Sequence, residues 1–274
     1  MILIYGLGLL GYTTAACLAT WGRNVAMVID ETLPEPPAEP GLVARLQEGK
    51  NSGNLSTKYI QDYRPTKTDI AWITYDTPVD SLGNPDNARI QAACSAVCKS
   101  QADGAVVIVS SQVRVGFTRS LQAEFPGLRI VCAPENIRRG HALRDFETSI
   151  PIIGLPDTVP VHLIETLYQH GGTPKTIYYS TLETAEMVKH ARNAFLAMSI
   201  SFANEIAEVC KSTGASYADV QDALHADPRI GPQAYLGDGK ADGRHMLRDV
   251  RNLLDINPDL WVIREILRSP AWLP

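Results

Sequence analysis

Long apolar runs, a basic excess, paired cysteines and aromatics are all scarce in this chain, and each scarcity removes a class of function. Lys and Arg number 25 against 30 Asp and Glu, a formal net charge of −5, so no global basic field draws in nucleic acid or an anionic membrane surface. No uninterrupted apolar run reaches the roughly 20 residues that cross a bilayer. The N-terminus is apolar, yet it lacks a basic leader, is broken by glycines and is soon followed by charges. It reads as a folded strand and helix rather than a signal peptide. The five cysteines (Cys17, Cys94, Cys98, Cys132 and Cys210) are odd in number, and no pair shows zinc-finger spacing. Free buried thiols in the reducing cytoplasm, with no metal site, are the expectation. Repeats and low-complexity segments are also lacking. What remains is an ordinary globular composition, 45% hydrophobic and 20% charged, in 274 residues. That length holds one large domain or two modest ones with ample core.

The chain opens on a short apolar run, residues 1–5, followed at once by Gly6-Leu7-Gly8-Leu9-Leu10-Gly11 and a helix-like segment. A second apolar run, residues 25–29, ends in Asp30. Strand, G-x-G-x-x-G turn, helix, strand and acid in this order form a dinucleotide-binding unit. Gly6 permits the tight turn, Gly8 lets a pyrophosphate approach the backbone, and Gly11 lets the helix pack on the strand. The free N–H groups of Leu9, Leu10 and Gly11 at the helix N-terminus suit phosphate. Asp30 can accept from both ribose hydroxyls and would repel a 2′-phosphate, which favours NAD over NADP. A plain glycine-rich structural turn is the competing reading.

Residues 31–68 are rich in Pro, Gly and polar side chains and are expected to hold one short helix near 41–47 among loops. Strands are expected at 69–75, 105–109 and 128–132, with a helix at 88–99 between the first two. Thr77-Pro78 follows the first of these strands and Ser111-Gln112 the second, at carboxyl ends where such sheets bind cofactors. A strand–helix–strand unit at 150–153, 162–168 and 176–179 completes an α/β, Rossmann-type doubly wound parallel sheet. The expected boundary lies near Thr181, giving a cofactor domain at 1–180 and a helical region at 181–274.

The helix expected at 183–212 has no Pro or Gly. Met187, Ala191, Ala194, Phe195, Met198 and Phe202 recur three or four apart, the pattern of a buried stripe. Lys189 and Asn193 sit four apart and project from one face. Two readings stand: an ammonium and an amide aimed at one oxygen, or a core helix whose Lys snorkels to solvent.

The whole set of motifs resembles the UDP-glucose/GDP-mannose 6-dehydrogenase family. In family order the chain shows GLGLLG with Asp30, Glu39-Pro40-Gly41-Leu42, Thr77-Pro78, Ser111 to Gly116, Pro134-Glu135, AEMVKHARNAFLA, Asn204-Glu205, DPRIG and a glycine loop ending in Arg248-Asp249. The resemblance implies a long central helix and an all-helical dimerisation domain after the sheet, a homodimer, NAD as cofactor and a sugar nucleotide or sugar phosphate as the small-molecule partner. It implies Lys189, Asn193, Asp249 and Glu135 as catalytic groups. It implies Arg229 as a substrate contact reaching across the dimer; Arg139, Tyr235 and Gly243 are further candidate substrate contacts.

The departures from the family pattern carry chemistry. His245 stands where the family has its nucleophilic Cys, Arg248 where it has Lys, Gln112 where it has a catalytic Thr, and Arg139 where it has a second Glu. Without a thiolate there is no thiohemiacetal and no simple route to a second hydride. His245 either transfers protons, for which its ordinary pKa is suited, or fills loop space. Arg139, Arg244 and Arg248 either bind phosphate or carboxylate or are solvated charges. A two-electron oxidation of a sugar alcohol is the leading expectation. A redox-neutral epimerase-type reaction and a decayed nucleotide-binding regulator are the alternatives.

Overall fold

The computed structural model of the chain describes residues 1–80, 83–170, 173, 175–239 and 244–272. It falls into two compact units, Met1–Pro78 with Asp86–Lys189, and Val79–Pro85 with His190–Pro274.

The first unit is built on eight strands: β1 (Ile2–Tyr5), β2 (Val25–Ile29), β3 (Leu55–Tyr59), β4 (Ile70–Ile73), β5 (Val106–Val109), β6 (Arg129–Cys132), β7 (Ile152–Gly154) and β8 (Tyr178–Ser180). Their order in the sheet is β3-β2-β1-β4-β5-β6-β7-β8. β1, β2, β4 and β5 are short, apolar and buried throughout, as parallel strands under helices must be. Side-chain alternation divides the core in two. Ile2, Ile4, Val25, Met27, Trp72 and Ile108 face α1 (Leu9–Thr20), α2 (Leu42–Asn51), α5 (Ala142–Thr148) and α6 (Val161–Tyr168). Leu3, Tyr5, Ala26, Ile73, Val107 and Val109 face α3 (Asn87–Ser100) and α4 (Phe117–Glu124).

Three expectations change in the first unit. The stretch 31–68 holds a helix running on to Asn51 and an edge strand, β3, which pairs in parallel with β2 from Val25↔Leu55 to Ile29↔Tyr59. The sheet is not parallel throughout: β6 meets β7 antiparallel, through Cys132↔Gly154. Gly154 is required there, because a Cβ would lie 2.7 Å from the Leu182 Cα. Finally, α4 and α5 are helices the sequence did not announce. Neither has a side-chain cap from its own N-cap residue. Remote carboxylates cap them instead. Glu186 accepts from the Gly116 and Thr118 backbone N–H groups at 2.6 and 2.8 Å. Glu39 accepts from those of Gly140 and Ala142, each at 2.8 Å.

The long helix α7 (Leu182–Thr213) begins in the first unit and continues into the second, where α8 (Tyr217–Ala226), α9 (Arg244–Ile256) and α10 (Trp261–Ile266) follow. The second unit's core joins Ala194 and Ala197 of α7 to Leu247, Val250 and Leu253 of α9 and to Ile266. The stripe expected to be buried on α7 is in large part exposed: Met187, Phe195 and Phe202 face solvent, as does Val209. The buried face is instead small or polar, made by Ala185, Glu186, His190, Asn193, Ala194 and Ala197. Small side chains let α9 approach closely, and the polar ones find partners within each unit.

Candidate functional site

At its carboxyl end β1 runs into Gly6, whose φ of +95° only glycine adopts readily. Gly11 is fixed by packing: a Cβ on it would stand 2.1 Å from the Gly6 carbonyl oxygen. Thr74, just past β4, donates its hydroxyl to that same oxygen at 2.7 Å and locks the turn. Helix α1 then starts at Gly8 with no side-chain cap and no acidic residue in its first turn. The N–H groups of Leu9, Leu10 and Gly11 are thereby left to an anion, at the positive end of a 12-residue helix. Asp30 is exposed directly after β2.

Around the next strand ends, Thr77 is buried and donates its hydroxyl to the Gln112 carbonyl, tying the loop after β4 to the loop after β5. The Pro78 carbonyl accepts from the Asp86 N–H at 2.9 Å. Ser111 carries a buried hydroxyl that finds no protein partner among the described residues, as expected of a group reserved for a ligand. These features fit a dinucleotide. One side chain opposes it: Asp76 places Oδ2 2.9 Å from where a Gly8 Cβ would stand, close to the path of a pyrophosphate.

The first unit also gathers a proton-handling cluster. Lys189 of α7 donates its ammonium to Asn136 Oδ1 at 2.7 Å. Its neighbour Glu135 is buried and accepts at Oε1 from the Tyr168 hydroxyl at 2.9 Å. Burial pushes the Glu135 carboxyl above the ordinary range, against the Tyr168 hydrogen bond and the charges of Lys175 and Lys189. Arg138 forms a bidentate pair with Asp145 at 2.8 and 2.7 Å, whereas Arg139 is exposed.

In the second unit, Asn193 and Asp249 come together. The Asn193 amide donates to Asp249 Oδ2, His190 Nδ1 lies 3.2 Å from Oδ1, and Arg248 Nε donates to Oδ1 at 3.3 Å. All four side chains are buried. Burial works to raise the Asp249 carboxyl, but the His190 bond, the Arg248 charge and the Asn193 bond outweigh it and hold Asp249 below the usual carboxylate range. His245 is exposed in the first turn of α9. Arg229 is exposed and paired with Asp227 of its own loop at 2.5 Å. Tyr235 is half-buried in a segment anchored by Tyr217, which donates its hydroxyl to the Leu236 carbonyl at 2.6 Å. The Asn204 side chain clamps Gly239, accepting from its N–H at 2.9 Å. Gly243 lies outside the described residues, as does the side chain of Arg244. Among the described residues, no cluster of three or more His, Cys, Asp or Glu is placed to hold a metal, and no helix is long and apolar enough to cross a membrane.

Four participants escaped the sequence reading: His190, Tyr168, Asn136 and Glu186. His190 alone left a signal, being one turn before Asn193 on the same helix. The rest act over separations of 33 to 70 residues, or, in Asn136, beside a residue already chosen.

A mostly parallel sheet with a glycine-lined first turn, an uncapped helix and an acid after the second strand defines an α/β dinucleotide-binding protein of the dehydrogenase class. Family models make the class specific. Residues 1–171 match the NAD binding domain of the UDP-glucose/GDP-mannose dehydrogenase family, and residues 183–269 match that family's central domain. The chain belongs to this family. It is 29% identical over 284 residues to UDP-glucose 6-dehydrogenase YwqF of Bacillus subtilis, covering 98% of this chain and 64% of that protein. It is 32% identical over 263 residues to UDP-glucose 6-dehydrogenase AglM of Haloferax volcanii, covering 86% and 60%. A UDP-glucose dehydrogenase from the archaeon Pyrobaculum islandicum shares its fold with a TM-score of 0.83 at 28% identity, over 98% of this chain and 66% of that one. The chain thus spans under two thirds of the length of these two curated relatives.

Proposed function

We propose that the protein is an NAD-dependent oxidoreductase that takes two electrons from the alcohol of a sugar linked to a nucleotide or phosphate and stops at the carbonyl. The observation that carries this reading is the pair Lys189 and Asn193, one turn apart on α7, each fixed by its own partner, the half-buried Asn136 and the buried Asp249. Gly6, Gly8, Leu9, Leu10, Gly11, Asp30, Thr77, Pro78, Ser111 and Gln112 hold the cofactor, whose nicotinamide, when bound, accepts the hydride.

Within this scheme the Lys189 ammonium and Asn193 amide lower the energy of the negative oxygen that develops on the substrate. Asp249 is ionised and surrounded by donors, so it orients Asn193 rather than taking a proton. Glu135, raised by burial, is the better matched acid and base. His245, in the first turn of α9, relays protons to solvent. Arg229, Arg139, Tyr235 and Gly243 meet the anionic part of the substrate.

The stop at two electrons follows from sulfur. All five cysteines are buried, and burial pushes Cys17, Cys94 and Cys98 up to about 12 and Cys132 well above its ordinary value. A thiolate nucleophile is not offered at any of these four. The buried free thiols also fit a reducing cytoplasm. A homodimer belongs to the same reading: Phe195, Phe202 and Val209, seven apart on α7, are exposed apolar side chains that a second copy would cover.

The test is a panel of UDP- and GDP-sugars and sugar phosphates, each incubated with the protein and NAD, with NADH and products followed together. NADH with an aldehyde or ketone supports the proposal. Product without net NADH turns the reading to a redox-neutral reaction, and the absence of both across the panel overturns it.

A further inference from the structure

Glu135 carries more machinery behind it than the reaction above uses. The ring of Tyr168, the last residue of α6, is almost completely buried, edge-on to Trp72 at 5.8 Å and stacked with Phe146 at 6.3 Å. Lys175 holds its ammonium 5.8 Å from the Tyr168 ring centre and 5.9 Å from that of Phe146, and donates to the Phe146 carbonyl at 2.6 Å. Trp72 donates to Ser110 at 2.8 Å, and Ser110 donates to the Ala133 carbonyl at 2.5 Å, which fixes the strand end just before Glu135. A core built only for packing has no use for a carboxylate here, since an ionised group taken from water is expensive.

We propose, on the reading given above, that Tyr168 is a positioning residue for proton transfer at Glu135. Its hydroxyl occupies Oε1 and leaves Oε2 to take the proton, while Lys175 supports the ionised form from behind the aromatic rings. When the substrate is oxidised, its O–H bond breaks and the proton goes to Oε2. The O–H electron pair becomes the second bond of the carbonyl, and the C–H pair departs as hydride to the oxidised nicotinamide. With Oε1 already accepting from Tyr168, the acquired proton is held in one orientation, toward the oxygen it came from.

The charged and titratable groups around this carboxyl are few. Lys175 and Lys189 face Glu135, with Cys17 of α1 nearby. Glu147 of α5 lies near Lys175, and Cys132 of β6 and Tyr179 of β8 lie near Tyr168. Both lysines and the Tyr168 hydroxyl favour ionised Glu135, so removal of any one raises the pH at which it titrates.

The experiment is a difference-infrared titration of the full-length protein, with Glu135→Gln identifying the carboxyl band, beside the pH profile of kcat. Tyr168→Phe and Lys175→Met are each expected to move the band's midpoint upward by about half a pH unit or more. The acidic limb of kcat should move with it, KM staying within about twofold. A band that does not move in either variant overturns the pairing. A band that moves while the rate profile stays put overturns the positioning role. A moving band in a protein that makes no NADH from any substrate of the panel overturns the enzymatic reading, and the role with it, while leaving the pairing intact.

Discussion

Asn193 donates its side-chain amide to Asp249 Oδ2, and neither residue is more than a few per cent exposed. That bond fixes which way the amide points. Asp249→Asn removes the charge that His190 and Arg248 also lean on. The expected result is a kcat reduced about 100-fold, as for a misplaced catalytic group, and stability lowered by about 3 kcal/mol from a broken buried pair. Steady-state kinetics and urea unfolding check both.

Asp76 sits against Gly8 with its carboxylate toward the glycine turn. Removing that charge as Asp76→Asn should tighten NAD binding by about three- to tenfold at low salt, an effect that fades as screening rises. Calorimetric titration at two ionic strengths reads it. Unchanged affinity at low salt would mean that the pyrophosphate does not pass Gly8.

Glu135 and Asp249 should shape stability in opposite senses. Burial raises Glu135, so its ionisation subtracts stability at neutral pH. Glu135→Gln is therefore expected to be more stable than the parent near pH 7, with the gain fading below about 4, where the unfolded carboxyl is itself protonated. For Asp249, burial raises the carboxyl but His190, Arg248 and Asn193 hold it low, so its contribution is present above about 4 and is lost as pH falls through the lower folded value. Asp249→Asn should lose stability at neutral pH, and that deficit should close in acid. Urea midpoints measured from acid to neutral pH separate the two curves.

Glu186 reaches from α7 to close the start of α4, accepting from the Thr118 hydroxyl at 2.7 Å as well as from two backbone N–H groups. Glu186→Ala leaves those donors without a partner in a buried place and should lower stability by about 2 to 4 kcal/mol. Hydrogen exchange at 117–124 should rise in the same variant.

How far the sequence speaks for the structure is shown by these same residues. The glycine turn and the strands on either side were legible because each feature is local: an apolar run, a fixed spacing of glycines, an acid after β2. The strand β3 was not, because LSTKY buries only Leu55 fully and offers no apolar alternation. The helices α4 and α5 were missed for a related reason, since their caps come from Glu186 and Glu39, far along the chain, and no local capping residue marks their start. On α7 the period was right and the face was wrong. Both flanks of that helix are apolar, and the burial of Glu186, His190 and Asn193 follows from tertiary partners that spacing does not reveal. Lys189 and Asn193 were legible as candidates from their spacing on one helix face, and Glu135 and Asp249 through a resemblance to known enzymes; the pairing of Tyr168 with Glu135 came only with the fold.

The central claim is that oxidation ends after one hydride because His245 stands where the family has its nucleophilic Cys and the five cysteines of the chain are buried elsewhere. The direct measurement is the amount of NADH formed per molecule of product, with aldehyde and carboxylate quantified in the same reaction on a turned-over nucleotide sugar or sugar phosphate. One NADH for each aldehyde or ketone, with no carboxylate, is the predicted result. Two NADH for each carboxylate would contradict it.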